Sequence, residues 1–162
     1  MFSVAPRFLW TRVTKKSPGM RTVIITAKER KMHLGTHYLA EFFECDRARI
    51  NDIAFVETMM IEATERSGAR MIRPLFHQFS PHGISGVIVI AESHFAFHSW
   101  PEHGFAAVDL FSCADFDYRA ALDHIRKNIG ARKHSVTRVK RGILNGDDRP
   151  RPSEWEEIEI DG

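Results

Sequence analysis

The segment that most restricts the fold is an unbroken apolar run in the middle of the chain, Val87-Ile88-Val89-Ile90-Ala91. A short run of β-branched residues bounded by turn residues predicts a β-strand, and its continuous apolarity predicts that both faces of this strand are buried. We expect residues 93–99 to continue in an extended conformation. No apolar stretch in the sequence is longer than this one, and five residues are far too few to cross a membrane.

Apolar patterns on both sides of this run predict the remaining elements. They indicate strands at 37–43, 71–79, 105–113 and 132–140, and a helix at 49–67. A second helix is begun by Asp115 or Asp117 and ended by Gly130. Pro74, within the strand at 71–79, favours either a sheet edge or a bulge. The order β-α-β-β-β-α-β, with short turns between the middle strands, favours antiparallel pairing. The predicted fold class is α+β: a two-layer α/β sandwich with a mainly antiparallel sheet and two helices on one face.

Charge distinguishes the first 31 residues from the rest of the chain. Residues 1–31 contain eight Lys or Arg and one acid, whereas the remainder contains 15 basic and 20 acidic residues. A basic arm is compatible with nucleic-acid contact, with an organelle transit peptide, or with an upstream start codon that leaves Met20 or Met32 as the true first residue. Lacking helical periodicity, the arm is expected to be disordered or to result from a misassigned start. We therefore expect an extension at 1–31, a folded domain at 32–142 and a loose acidic tail at 143–162.

The sequence has neither a basic stripe in its folded part nor a recognisable secretory segment, and this restricts the expected partners and cellular compartment. The folded part is mildly acidic and has no basic stripe, so nucleic acid is not an expected partner. No secretory or membrane segment is recognisable, so the two cysteines are expected to be reduced thiols in the cytoplasm. Cys45 is expected to serve only in packing.

Residues 79–113 concentrate groups capable of chemistry, although each alone is also typical of a strand end or a core. They are Ser85, Glu92, Ser93, His94, His98, Trp100, Glu102, His103 and Cys113. A metal site is disfavoured, because His94 and His98 would lie roughly 13 Å apart on one strand. A serine hydrolase is disfavoured as well, because Ser93 lacks the flanking glycines of a Gly-x-Ser-x-Gly turn.

Taken together, these residues resemble the prokaryotic S-adenosylmethionine decarboxylase family, whose members are pyruvoyl-dependent and self-processing. The resemblance rests on Ala-Glu-Ser-His-Phe-Ala-Phe-His-Ser-Trp-Pro-Glu at 91–102, Gly-Ile-Ser-Gly at 83–86, Ala-Ala-Val-Asp-Leu-Phe-Ser-Cys at 106–113 and Gly-Thr-His-Tyr-Leu-Ala-Glu-Phe at 35–42. It extends from about residue 32 to residue 142.

The resemblance implies a covalent chemistry for part of this set. The chain would split between Glu92 and Ser93, and Ser93 would become a pyruvoyl group that forms a Schiff base with the substrate. A decarboxylase needs such an electron sink, because no ordinary side chain offers an electrophilic carbonyl. His98 would be the base and Ser85 the hydroxyl donor in processing. Cys113 would be the proton donor in turnover.

The resemblance also implies a substrate and an assembly. Phe79 and Trp100 would enclose the adenine of S-adenosylmethionine, and Glu102 would accept hydrogen bonds from its ribose. The product would serve spermidine synthesis, the enzyme would be a homodimer of cleaved protomers, and no metal or added cofactor would be needed. Two alternatives stay open: a pyruvoyl-dependent ornithine or arginine decarboxylase, and an unprocessed, non-catalytic binding paralogue. His77 and His82 are left without a role.

Overall fold

The computed structural model describes residues 33–144 and 149–160, which form one compact unit. Its strands are β1 (His33–Phe43), β2 (Met71–Gln78), β3 (Ile84–Ile90), β4 (Ser93–Trp100), β5 (Phe105–Ser112), β6 (Lys133–Leu144), β7 (Pro150–Arg151) and β8 (Glu154–Ile158). All pairings are antiparallel, in the order β2-β3-β4-β5-β1-β6-β7, and β8 also pairs with β6. The predicted α+β class with a mainly antiparallel sheet is confirmed.

Two helices, α1 (Ile53–Arg66) and α2 (Tyr118–Asn128), begin at aspartate caps. The Asp52 carboxylate accepts from the first turn of α1, and Asp117 does the same for α2, which satisfies backbone N–H groups that lack helical partners. Past the helix ends, Gly68 and Gly130 take left-handed conformations, with φ of 74° and 65°. A 3-10 turn, Arg49–Asn51, precedes α1.

The two faces of the sheet differ in their surroundings. Alternate residues on the central strands, among them Phe42, Phe95, Phe97 and Leu110, are fully buried in one core cluster that contains residues of both helices. The other face, which we call the open face, carries no helix among the described residues and exposes apolar side chains such as Leu75 and Val89. The structure is therefore a two-layer sandwich, as expected.

The middle of the chain differs from the sequence-based expectation. Residues 84–100 are not one extended segment but a hairpin, in which β3 and β4 turn at Ala91 and Glu92. Burial alternates along β3, and Val89 is 42% exposed, so the prediction that both faces of this strand are buried is wrong. Pro74 does lie on an edge strand, β2, beside a register shift between Met71 and Arg73.

The C-terminal tail is more ordered than the sequence predicts. The tail expected to be loose from residue 143 instead contributes β7 and β8, because β6 offers an unpaired edge to which β8 binds along five residue pairs. The predicted extension at 1–31 lies outside the described residues. Within the described ranges, no helix combines the length and apolarity needed to span a membrane.

Candidate active site

One end of the β3–β4 hairpin brings Ser85 and His98 into contact. The two residues are directly paired across the strands, and the Ser85 hydroxyl lies 2.9 Å from His98 Nδ1. Their side chains point to the open face, because the flanking residues Ile84, Gly86 and Phe97 are buried on the helix side. Gly86 is required here, since a Cβ at this position would lie 1.9 Å from the ring of Phe76. The hairpin register thus forms the pair predicted for processing.

The same end contains a cavity of about 270 Å³. Phe79, Ser85, His98, Trp100 and Glu102 all line it, and we call this set the pocket end. Both rings expose a large fraction of their surface, 50% for Phe79 and 42% for Trp100. Partly exposed aromatic faces beside a carboxylate suit a flat heterocycle that carries hydroxyl groups.

The pocket wall is fixed from behind by the 3-10 turn that precedes α1. Gly83 N–H donates to Asn51 Oδ1 at 2.9 Å, and Gln78 Nε2 donates to the Asn51 carbonyl at 2.7 Å. The buried Ser99 hydroxyl accepts from Ile84 N–H and donates to a carbonyl of the same turn. These bonds give the β2–β3 loop a defined place beside the cavity.

The opposite end of the hairpin holds Glu92, Ser93 and Cys113, which we call the turn end. Ser93 has φ of 152°, a conformation that non-glycine residues rarely adopt and that costs free energy. Its hydroxyl lies 3.3 Å from His94 Nδ1. The Cys113 N–H donates to the Glu92 carbonyl at 3.0 Å, so the carbonyl that precedes Ser93 already faces a hydrogen-bond donor.

A row of rings on the open face lies beside the turn end. His37, His94 and Phe111 have ring centroids 5.4 to 6.4 Å apart. Burial lowers the pKa of His37 below 6.5. The Asp109 carboxylate, whose Oδ1 lies 3.9 Å from His37 Nε2, acts to raise this pKa but does not offset the effect of burial. The imidazole of His37 is therefore held in its neutral form over a wider pH range than a free histidine.

The two ends do not meet within one chain. Ser93 and His98 are five residues apart on the same extended strand, which separates them by roughly 17 Å. The structure thus groups the predicted residues into two sets, and it brings neither Ser85 nor His98 near the Glu92–Ser93 bond.

Three groups make contacts that the sequence analysis did not predict. They are the His94 imidazole beside Ser93, the Cys113 N–H on the Glu92 carbonyl, and His82, whose Nε2 lies 3.1 Å from Glu102 Oε2. The adjacency of His94 to Ser93 was the only signal available, because the other two contacts depend on strand pairing. Cys45 is buried, which raises the pKa of its thiol to about 11, in keeping with a packing role.

Comparison with known proteins gives a consistent result. Residues 36–142 match the family model described as S-adenosylmethionine decarboxylase. An S-adenosylmethionine decarboxylase proenzyme of Thermotoga maritima is 44% identical over 110 residues, which cover 67% of this chain and 85% of that protein. One of Pseudomonas aeruginosa is 45% identical over 111 residues, covering 68% and 69% respectively. The crystal structure of the adenosylmethionine decarboxylase from Aquifex aeolicus superposes with a TM-score of 0.64 and 32% identity, covering 71% of this chain and 96% of the other.

Proposed function

Because the chain belongs to the S-adenosylmethionine decarboxylase family and is thus a carboxy-lyase, we propose that it makes its own pyruvoyl group by cleavage between Glu92 and Ser93. It converts S-adenosylmethionine to its decarboxylated form and carbon dioxide, for polyamine synthesis. We assign it to the cytoplasm on the basis of that role. The observation that carries the cleavage proposal is the strained Ser93 at the hairpin turn, next to a carbonyl that already accepts a hydrogen bond.

In processing, the Ser93 hydroxyl attacks the Glu92 carbonyl carbon and converts the amide into an ester. The negative charge that develops on the carbonyl oxygen is stabilised by the Cys113 N–H. A base then removes the Ser93 α-proton, and the Glu92 carboxylate leaves. Water hydrolyses the resulting dehydroalanine, which releases its nitrogen as ammonia and leaves the ketone. Release of the unfavourable φ at Ser93 favours this bond rearrangement.

In turnover, the ketone at position 93 supplies an electrophilic carbonyl that condenses with the substrate amine and accepts electrons as carbon dioxide leaves. We assign proton donation to the exposed Cys113 thiol, because the backbone N–H of the same residue already contacts the Glu92 carbonyl. We assign adenine binding to Phe79 and Trp100, and ribose binding to the Glu102 carboxylate. Ornithine and arginine offer no adenine for such aromatic walls.

The separation of the two ends leads us to propose that a complete site forms between two copies of the chain. A base must lie within hydrogen-bond reach of the proton it removes, or one water away. His98 is roughly 17 Å from Ser93 of its own chain, which exceeds that reach. We therefore propose that the Ser85–His98 pair of one protomer serves the turn end of its partner.

The open face of the sheet supports such a dimer. Leu39, Leu75 and Val89 are 37%, 66% and 42% exposed on this face, where an isolated sheet would be expected to carry polar residues. A two-fold axis that runs across the strands near Ala96 would stack the pocket end of one β4 over the turn end of the other. Face-to-face packing of the two sheets would bury the apolar residues and complete two sites at once.

Mixing two inactive variants tests this arrangement. Ser93→Ala lacks the hydroxyl but keeps His98, whereas His98→Ala keeps Ser93 but lacks the base. Co-expression should restore cleavage of the His98→Ala chain only, which mass spectrometry can identify from the different masses. Each variant expressed alone is the control and should stay uncut. Absence of cleavage in the mixed dimer, with the dimer itself verified, would argue for catalysis within one chain.

Electrophoresis and a substrate panel test the activity itself. The 162-residue chain should yield fragments of 92 and 70 residues, the smaller one blocked to Edman chemistry. Carbon dioxide should be released from S-adenosylmethionine. Release from ornithine or arginine instead would end the assignment, and an intact band alone would favour a non-catalytic paralogue.

A further inference from the structure

The carboxylate assigned to ribose binding has a histidine neighbour that the proposed function leaves unused. His82 Nε2 lies 3.1 Å from Glu102 Oε2. The other histidine nearby, His103, is 4.0 Å from Glu102 Oε1 and its side chain is 73% exposed. Both His82 and Glu102 line the pocket. His82 is therefore the imidazole placed to orient Glu102.

His82 is well suited to this task because its loop is held in place. The loop closes on itself through a 2.8 Å bond from Phe79 N–H to the Gly83 carbonyl, and Asn51 anchors Gly83 from the other side. Glu102 lies in the short 3-10 turn Pro101–His103, and its side chain is 37% exposed, close to the 39% of His82. An exposed glutamate loses rotamer entropy when a ligand immobilises it. A neighbour that restricts the glutamate beforehand lowers that cost.

We infer that His82 is a positioning residue that donates its Nε2–H to one Glu102 oxygen and leaves the other oxygen free for the ribose hydroxyls of the substrate. This inference rests on the proposed function. The contact involves two partly exposed groups, so it contributes little to the stability of the fold. Its effect is on ligand binding, where a correctly aimed carboxylate accepts stronger hydrogen bonds.

The test compares His82→Ala, His82→Gln and His103→Ala in the full-length, processed enzyme. Loss of one orienting hydrogen bond should raise KM for S-adenosylmethionine about three- to tenfold in His82→Ala. The value of kcat should not change, because the reacting carbonyl lies at the turn end. His82→Gln keeps an N–H donor and should recover most of the affinity, and His103→Ala should match the wild type.

A double variant separates orientation from general damage to the pocket. In a Glu102→Gln background, His82→Ala should cause no further rise in KM, because the group that it orients has already lost its charge. Processing into two fragments and an unchanged melting temperature verify that each variant is folded.

The outcomes distinguish a failure of the role proposed for His82 from a failure of the proposed decarboxylase function. An active wild type with His82→Ala within twofold of its KM would overturn the role of His82 alone. An equal loss in His82→Ala and His82→Gln, or additivity with Glu102→Gln, would also overturn it. A wild type that releases no carbon dioxide from S-adenosylmethionine would overturn the proposed function and this inference with it.

Discussion

The two ends of the β3–β4 hairpin are constructed in different ways. At the pocket end, strand register pairs Ser85 with His98, whose hydroxyl and Nδ1 are already 2.9 Å apart, and hydrogen bonds anchor the adjacent β2–β3 loop. At the turn end, two residues reverse the chain without a glycine, and Ser93 takes an unfavourable φ. The residues proposed for recognition thus depend on ordinary packing and hydrogen bonding, whereas the bond proposed to break lies where the backbone is strained. The difference predicts that variants at the turn end alter the chemistry and that aromatic variants at the pocket end alter affinity.

The largest effect is expected from Ser93→Ala, which removes the attacking hydroxyl. Cleavage and decarboxylation should both be lost completely, leaving one band on denaturing electrophoresis. Ser135→Ala, in which an exposed hydroxyl on β6 is removed, is the control and should be cleaved as in the wild type. A cleaved Ser93→Ala chain would move the reaction away from the turn end.

A smaller effect is expected from Cys113→Ala, because this change removes the thiol but keeps the N–H that binds the Glu92 carbonyl. The chain should still be cut, and kcat should fall about 10²- to 10⁴-fold, as expected for loss of a general acid. Cys45→Ala provides a matched control, since this buried thiol lies outside both ends. Its kcat should remain near that of the wild type, and a Cys113→Ala enzyme with normal turnover would refute the assignment.

At the pocket end, Trp100→Ala should raise KM for S-adenosylmethionine about tenfold, because one aromatic wall of the proposed adenine site is removed. Cleavage should proceed, since Ser93 and the proposed Ser85–His98 processing pair are all retained. Trp155, 72% exposed on β8, offers the control: Trp155→Ala should leave KM unchanged. If Trp100→Ala lowered kcat at an unchanged KM, the division between the two ends would not hold.

The smallest effect concerns the pH dependence of folding beside the turn end. Burial lowers the pKa of His37, so the folded state binds this proton less readily than the unfolded chain. Stability from this source is complete above about pH 6.5 and is lost as the pH falls toward the lower folded pKa. The urea concentration at the midpoint of unfolding should therefore fall less between pH 7 and pH 5 in His37→Phe than in the wild type. An equal decline in the wild type and in His37→Phe would contradict the explanation.

Short sequence signals correctly predicted the features that are determined by residues nearby in the chain. The Asp117 cap, the Gly130 end and the edge position of Pro74 all agree with the structure, since each depends on nearby backbone chemistry. The hairpin turn was missed because Ala91 and Glu92 are not turn-forming residues and the apolar pattern runs up to them. The strands of the tail were missed because they depend on an edge distant in sequence.

The candidate site was predicted as a set of residues but not as an arrangement. The linear motif identified Ser93 and His98 together, whereas an extended strand keeps them apart; the strand spacing alone would have revealed this. His82 could not be identified as a partner of Glu102 from the sequence, because their contact requires both the β2–β3 loop and the turn after β4 to close. Strand spacing is thus a necessary complement to motif matching.

The strand order has a consequence for the molecule that the proposed cleavage between Glu92 and Ser93 would produce. The fragment that ends at Glu92 supplies β1, β2 and β3, and β1 lies between β5 and β6 of the other fragment. The two polypeptides therefore alternate within one sheet, and the hydrogen bonds between their strands hold them together as long as the sheet is folded. Once unfolded, however, they no longer share a covalent tether, and reassembly becomes an encounter between separate molecules. The uncut precursor should refold at a rate independent of dilution, whereas recovery of the mature form should slow as its concentration decreases.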